Sequence, residues 1–447
     1  MNNQIIQSQQ QYDEYMVRKY EGYIEDGNLQ IGDLDRGDPD IINLKFIETF
    51  NITALKICIC CDMEVKLRNQ TIKKLTLEKQ KNQYQMILKV DDLELENLEV
   101  LYLQYNGLEN NQFYNLVKFK KLNTLDVSNN KVDLTHIHIV TSLIKLSMCY
   151  CGLKNIDLIS SLVILKDLDL SGNTDLDLSP LCKLQSLTKL SMNNCGLKHI
   201  DKINQFTTLE TLNIAENQLQ NIDSIRLLIN LKELNISENE ILDITPLKDL
   251  VSIIKLNLSV CGLTSLSALK PLINLQDLDL QGNSNINITE LQQLKNLTHL
   301  QLMFCNLVSI YVLRPLVNLE ELNISFNNIV YLDANLNDMT KLQQLNVQLN
   351  CVNDFSSLDL HQNYNENFDI SDQRSYSEGE LSLANLMRYI ERPNIQLKFI
   401  QNKSQTALLN NCKQKINAIM NNTRVRQIQF TSSVVNLFHQ LNQFGLE

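Results

Sequence analysis

The chain is 447 residues long, 44% apolar, and carries a net charge of −11. That apolar share supplies a large core, and the negative charge argues against nucleic-acid binding by the chain as a whole. No stretch approaches the length of a membrane span, the N-terminal MNNQIIQSQQQ lacks the apolar run of a signal peptide, and the eleven cysteines are an odd number without cysteine-rich caps. Together these features predict a reduced, cytoplasmic protein, with the nucleus as the alternative compartment, and no membrane partner.

In chain order, residues 1–45 read as an N-terminal cap, with a helix over Gln9–Glu25 and turns at Asp26-Gly27 and Asp38-Pro39. Residues 46–97 hold two degenerate frames, Ile52-Leu55-Ile57-Cys60 and Ile72-Leu75-Leu77. Over 98–354 one phrase, L-x-x-L-x-L-x-x-(N/C)-x-L, returns twelve times. Its frames open at Leu98, Leu122, Leu143, Leu165, Leu187, Leu209, Leu231, Ile253, Leu275, Leu297, Leu319 and Leu342, mostly 22 residues apart. It is clearest at Leu209, Leu212, Ile214, Asn217 and Leu219. A larger similarity lies over the first: the stretch from Leu143 resembles that from Ile253, an offset of 110 residues, with Cys151-Gly-Leu recurring as Cys261-Gly-Leu. That is the mark of a duplicated block of five repeats.

A fixed period means one supersecondary unit stacked many times, because no single unit can bury its own apolar edge. The opening residue of each frame is counted here as place 1. The L-x-L segment then reads as a short strand with places 4 and 6 turned inward and places 3 and 5 turned outward. Place 9 is Asn, or Cys at Cys151, Cys195, Cys261 and Cys305. Its amide can satisfy backbone groups where the strand turns, so equivalent places should form a ladder. Pro180, Pro246, Pro271 and Pro315 suit the first turn of a short convex-side helix.

These frames resemble the leucine-rich repeat family. The 22-residue spacing and phrases such as DITPLKDL from Asp243 are similar to its subclass shared by the phosphatase-1 regulatory subunit and the internalins. The resemblance implies an α/β leucine-rich-repeat solenoid: a curved right-handed superhelix with parallel strands on its concave face and helical segments outside. A dozen strands about 4.8 Å apart would line a face roughly 55–60 Å long.

Beyond the repeats, residues 355–380 read as an acidic linker and 381–447 as a basic α-helical appendage. Helical spacing is carried by Leu383, Leu386 and Ile390, then by Ile400, Ala407, Leu408 and Cys412, and finally by Val434, Leu437, Phe438 and Leu441. From Pro393 to Glu447 six cations stand against one acid.

Function belongs to the outward places. Place 5 reads Tyr102, Asp126, Ser147, Asp169, Ser191, Asn213, Asn235, Asn257, Asp279, Gln301, Asn323 and Asn346, a polar and mildly acidic row. Asp169 and Asp279 are its acids on offer to a basic partner. Place 8 is apolar near the end of the array: Phe304, Phe326 and Leu349, with Met303 alongside, Val260 two repeats earlier, and Tyr105 and Tyr150 as a second apolar pair. Side chains at one place on adjacent strands should touch, and surface aromatics are candidate hot spots, whether for a protein partner or for the chain's own C-terminal helices. At place 3, Lys145, Asp167 and Lys189 alternate in charge, as do Lys255, Asp277 and His299, which reads as lateral pairing.

Cys58, Cys60 and Cys61 have no second cluster at ligand spacing, and His136 and His138 form a lone H-x-H. Without a phosphate loop or nucleophile motif either, no cofactor, metal or enzyme activity is expected. The sequence therefore predicts a non-catalytic scaffold that grips a protein. A phosphatase catalytic subunit is the alternative partner, and an adaptor holding nucleic acid or another anionic partner through the basic tail is the third.

Overall fold

The structure is a computed structural model that describes residues 24–31, 44–59, 63–79, 86–108, 116–132, 137–240, 243–332, 336–352 and 367–369. Two compact units make it up, Met1–Asn235 and Ile236–Glu447.

In the first unit, strands Ile24–Glu25 and Asn28–Ile31 form an antiparallel hairpin. Its two-residue turn is Asp26-Gly27, both left-handed at φ 48° and 76°, as the twist of a tight hairpin demands. Ile24–Glu25 is thus strand, not the end of a helix; the remainder of the expected Gln9–Glu25 helix lies outside the described residues. Asn28–Ile31 already pairs in parallel with Ala54–Ile59, which pairs with Lys74–Lys79. Strand stacking therefore begins inside the stretch assigned to a cap. The ladder continues through Val100–Tyr102, Thr124–Asp126, Lys145–Ser147, Asp167–Asp169, Lys189–Ser191, Thr211–Asn213 and Glu233–Asn235. A separate parallel pair, Met63–Arg68 with Met86–Glu94, accompanies the leading strands.

The second unit continues the same phrase over Lys255–Asn257, Asp277–Asp279, His299–Gln301, Glu321–Asn323 and Gln344–Asn346. One further strand follows. Asn367–Asp369 pairs in parallel with Gln344–Asn346 in the register Leu345 to Phe368, so the expected linker contains a repeat strand. The 381–447 appendage lies outside the described residues.

Each repeat from that of Leu98 to that of Leu319 is closed by a 3-10 segment, such as Asp223–Leu227 or Thr289–Gln293, and every helical segment among the described residues is of this kind. The sequence shows why. Ile222, Ile225, Leu228 and Leu231 are all buried and three residues apart, which fits three residues per turn and not 3.6. Entry to these segments is fixed by side-chain turns: Asn221 Oδ1 accepts from Asp223 N at 2.6 Å, and Asp243 Oδ1 from Thr245 N at 2.7 Å. Pro180 and Pro246 stand in the first turn as expected. Pro271 and Pro315 instead come after segments Ser267–Leu269 and Tyr311–Leu313, where Pro helps to end a helix.

In the repeat from Leu209 seven side chains enter the core, Leu209, Leu212, Ile214, Leu219, Ile222, Ile225 and Leu228, all at most 1% exposed. Burying such a side chain is worth about 1.5–3 kcal/mol, so the stack gains with every repeat added.

Candidate binding face

The site is built on two neighbouring places of the repeat, one buried and one exposed. Place 9 is the expected ladder. Asn173 is fully buried, and its Nδ2 donates to Met148 O and Leu170 O, both at 2.8 Å. Its Oδ1 accepts from Cys151 N at 3.1 Å and Leu153 N at 3.0 Å in the preceding repeat. Asn283 repeats the arrangement with Leu258 O, Leu280 O, Cys261 N and Leu263 N. Where the place is Cys, a thiol takes over the donor's part: Cys151 Sγ donates to Val127 O at 3.4 Å, Cys261 Sγ to Ile236 O at 3.4 Å and Cys305 Sγ to Leu280 O at 3.3 Å. Burial pushes these three thiols up to about 11, so they stay protonated and keep donating. Cys60, a ladder candidate in the degenerate frames, lies outside the described residues.

Place 8 is left-handed in every one of the twelve repeats, with φ between 52° and 75° at Tyr105, Asn129, Tyr150, Gly172, Asn194, Glu216, Glu238, Val260, Gly282, Phe304, Phe326 and Leu349. Hydrogen bonding requires this. The place-8 N–H still bonds the next strand (Tyr150 N to Ser171 O at 2.8 Å, Val260 N to Gln281 O at 2.7 Å), while the following N–H turns inward to the ladder amide. Gly and Asn adopt such a conformation readily; a β-branched or aromatic residue pays for it. Val260, Phe304 and Phe326 therefore sit where the backbone disfavours them.

The expected aromatic contact forms. The Phe304 and Phe326 rings lie 4.4 Å apart between centroids, tilted by 37°. Phe304 remains 46% exposed, with Met303, Phe326 and Leu349 half-buried beside it. Val260 is exposed but separated from them by Gly282, where an added Cβ would come 2.9 Å from Val260 Cγ2. Tyr105 and Tyr150 do not pair. The repeat of Asn129 stands between them, and the Tyr150 ring lies over Gly172, where a Cβ would come within 2.2 Å of it. Its hydroxyl is 3.4 Å from Asn194 Nδ2.

The acids of place 5 have a role that sequence reasoning missed. Asp169 Oδ1 accepts from Ser171 N at 3.0 Å and Ser171 Oγ at 2.6 Å, and Asp279 Oδ1 from Gln281 N at 2.9 Å. Asn257, Asn323 and Asn346 do the same with the N–H two residues on. The recurrence of Asp and Asn at one place, just before a turn, was the available signal. One carboxylate oxygen of Asp169 and of Asp279 is thus committed to the strand exit. Burial raises the Asp279 carboxyl above its ordinary value, the Gln281 N–H opposes this, and the neighbouring charge of Asp277 adds to the rise.

Of the lateral pairs at place 3, Lys145 Nζ to Asp167 Oδ2 closes at 2.9 Å. Among the described residues, Lys255, Asp277 and His299 make no ion pair with one another; His299 Nδ1 instead meets Thr298 Oγ1 at 2.9 Å. Glu321 Oε1 is held by Gln301 Nε2 at 2.7 Å. No group of three or more His, Cys, Asp or Glu among the described residues could hold a metal, and no described helix is long and apolar enough to cross a membrane. His136, Cys60 and Cys61 lie outside the described residues.

This architecture is the leucine-rich-repeat fold. No protein-family model and no curated protein matches the sequence. Solved structures do match the fold. A leucine-rich-repeat protein of Leptospira interrogans superposes with a TM-score of 0.66 at 23% identity, covering 86% of this chain and 98% of its own. The internalin InlF of Listeria monocytogenes gives 0.55 at 23% identity, covering 75% and 91%. The functional domain of InlJ from Listeria monocytogenes, described as including a cysteine ladder, gives 0.50 at 22% identity, covering 71% and 73%.

Proposed function

We propose that this chain is a non-catalytic scaffold that grips a cytosolic protein on its strand face, with the contact centred on Phe304 and Phe326. The observation that carries this reading is a comparison within the chain. At the 110-residue offset, the places of Phe304 and Phe326 are held by Asn194 and Glu216, on the same left-handed turn. The turn therefore does not need an aromatic, and a conformationally disfavoured Phe pair, one ring exposed and the other half-buried, is explained by what it touches outside the repeat. A cytoplasmic setting is supported by ladder thiols that act as hydrogen-bond donors, a role oxidation would abolish.

Affinity capture with mass-spectrometric identification tests the reading. One protein should be held by the wild-type chain and lost from Phe304→Glu/Phe326→Glu; an unchanged captured set would remove the stripe from the site. The alternative, a regulatory subunit of a phosphatase-1-type enzyme, draws its support from aromatics and acids on neighbouring strands, Phe304 and Phe326 beside Asp279. It requires the captured protein to be a phosphatase catalytic subunit. The third reading, an anionic partner on residues 381–447, concerns residues outside those described.

A further inference from the structure

The duplicated block holds more than the exchange of two aromatics. In the earlier copy, places 3 and 5 of two successive repeats are Lys189, Ser191, Thr211 and Asn213; in the later copy they are His299, Gln301, Glu321 and Asn323. With His neutral these two places go from +1 to −1, while place 8 gives up the negative charge of Glu216, so the three places together shift by one charge in the negative direction. It falls in the same two repeats that exchanged Asn194 for Phe304, Glu216 for Phe326 and Asn193 for Met303. Glu321 is held in place by the Gln301 amide, itself new in this copy. On the adjoining strand stand Asp277 and Asp279, and Asp277 and Lys255 make no ion pair although they are in register.

An apolar edge and the acid Glu321 have thus arisen together, beside Asp277 and Asp279, whose counterparts Asp167 and Asp169 the earlier copy already holds. From this we infer that the occupant is a segment of the partner protein in which aromatic or aliphatic anchors are flanked by cations. The apolar anchors lie against Phe304 and Phe326, and the cations face Glu321, Asp277 and Asp279. The inference rests on the scaffold reading and specifies its partner's chemistry. Apolar contact supplies affinity, while charge sets registry and encounter rate.

The test uses the full chain and two short fluorescein-labelled peptides, Lys-Lys-Phe-Lys-Phe-Lys-Lys and its counterpart with Glu at every Lys, read by fluorescence anisotropy. The Lys peptide should bind and the Glu peptide should not. Phe304→Asn/Phe326→Asn should weaken binding about tenfold or more. His299→Lys/Glu321→Thr, which restores the residues of the earlier copy, should weaken it by a similar factor and flatten its salt dependence. A control that removes two exposed acids elsewhere, Glu48→Gln/Asp201→Asn, should leave the affinity unchanged.

Equal binding of both peptides, binding of neither, or equal weakening by the control would overturn the inference. Two further variants address other occupants. Replacing the six cations of residues 393–447 by Gln should not change peptide affinity; a tenfold gain would assign the edge to the chain's own basic segment. A dimer dissociated by Phe304→Asn/Phe326→Asn in light scattering would assign it to a second copy. If a protein is captured through the stripe but the Lys peptide does not bind, the scaffold reading stands and the cationic partner is rejected.

Discussion

The two copies of the duplicated block differ little inside and sharply outside. The buried place 9 is unchanged across the offset: Cys151 and Cys261, Asn173 and Asn283, Cys195 and Cys305, Asn217 and Asn327. One residue earlier, on the same turn with the same positive φ, Tyr150, Gly172, Asn194 and Glu216 have become Val260, Gly282, Phe304 and Phe326. Glycine alone is retained there, each time beneath the side chain of the preceding repeat. Hydrogen-bond supply dictates the buried place, because a changed side chain would strand backbone groups of the neighbouring repeat. The exposed place constrains only the backbone, which leaves its side chain available for binding.

The comparison can be broken most forcefully at the ladder. Asn173→Ala and Asn283→Ala each leave one carbonyl and two N–H groups unsatisfied, because Leu170 O and Leu280 O still accept from the Cys195 and Cys305 thiols, and each should cost about 3–5 kcal/mol in urea unfolding. The two losses should agree within about 1 kcal/mol, because both copies build the same cage. Gly172→Ala combines left-handed strain with displacement of the Tyr150 ring and should cost about 3 kcal/mol. Adding Tyr150→Asn should return the part due to the ring.

The ladder thiols sharpen the same point through pH. Their ordinary value of 9.0 lies below the folded value of about 11 for Cys151, Cys261 and Cys305. The folded chain therefore holds protons that the unfolded chain has lost. Their contribution is complete below pH 9 and disappears as pH rises through about 11, by roughly 3 kcal/mol per thiol. Cys→Ser at the three places should flatten the alkaline limb of the stability curve. Smallest among these, Val260→Asn relieves a β-branched left-handed residue and should stabilise the chain by about 1 kcal/mol.

The sequence carried the period, the ladder and the Phe304–Phe326 contact, because a strict register places equivalent residues side by side without further information. It carried less where the register loosens. Leu29 and Ile31 in the leading hairpin and Phe368 near the other end of the sequence lie on paired strands whose apolar signature is too brief to count without the neighbouring strand. The 3-10 segments were legible in the three-residue spacing of Ile222, Ile225 and Leu228, a period different from the helical one assumed for the convex side. The Tyr105–Tyr150 pair fails because the repeat of Asn129 stands between the two side chains, and the Tyr150 ring instead lies over Gly172 on its other side.

Urea unfolding of the full chain, wild type against Phe304→Asn/Phe326→Glu, tests the central claim most directly, because it gives the later copy the residues of the earlier one. A place that serves binding and not the fold predicts stabilities within about 1 kcal/mol of each other. A loss of about 3 kcal/mol or more, comparable to that of Asn283→Ala, would contradict the account and make the aromatic stripe part of what holds the repeats together.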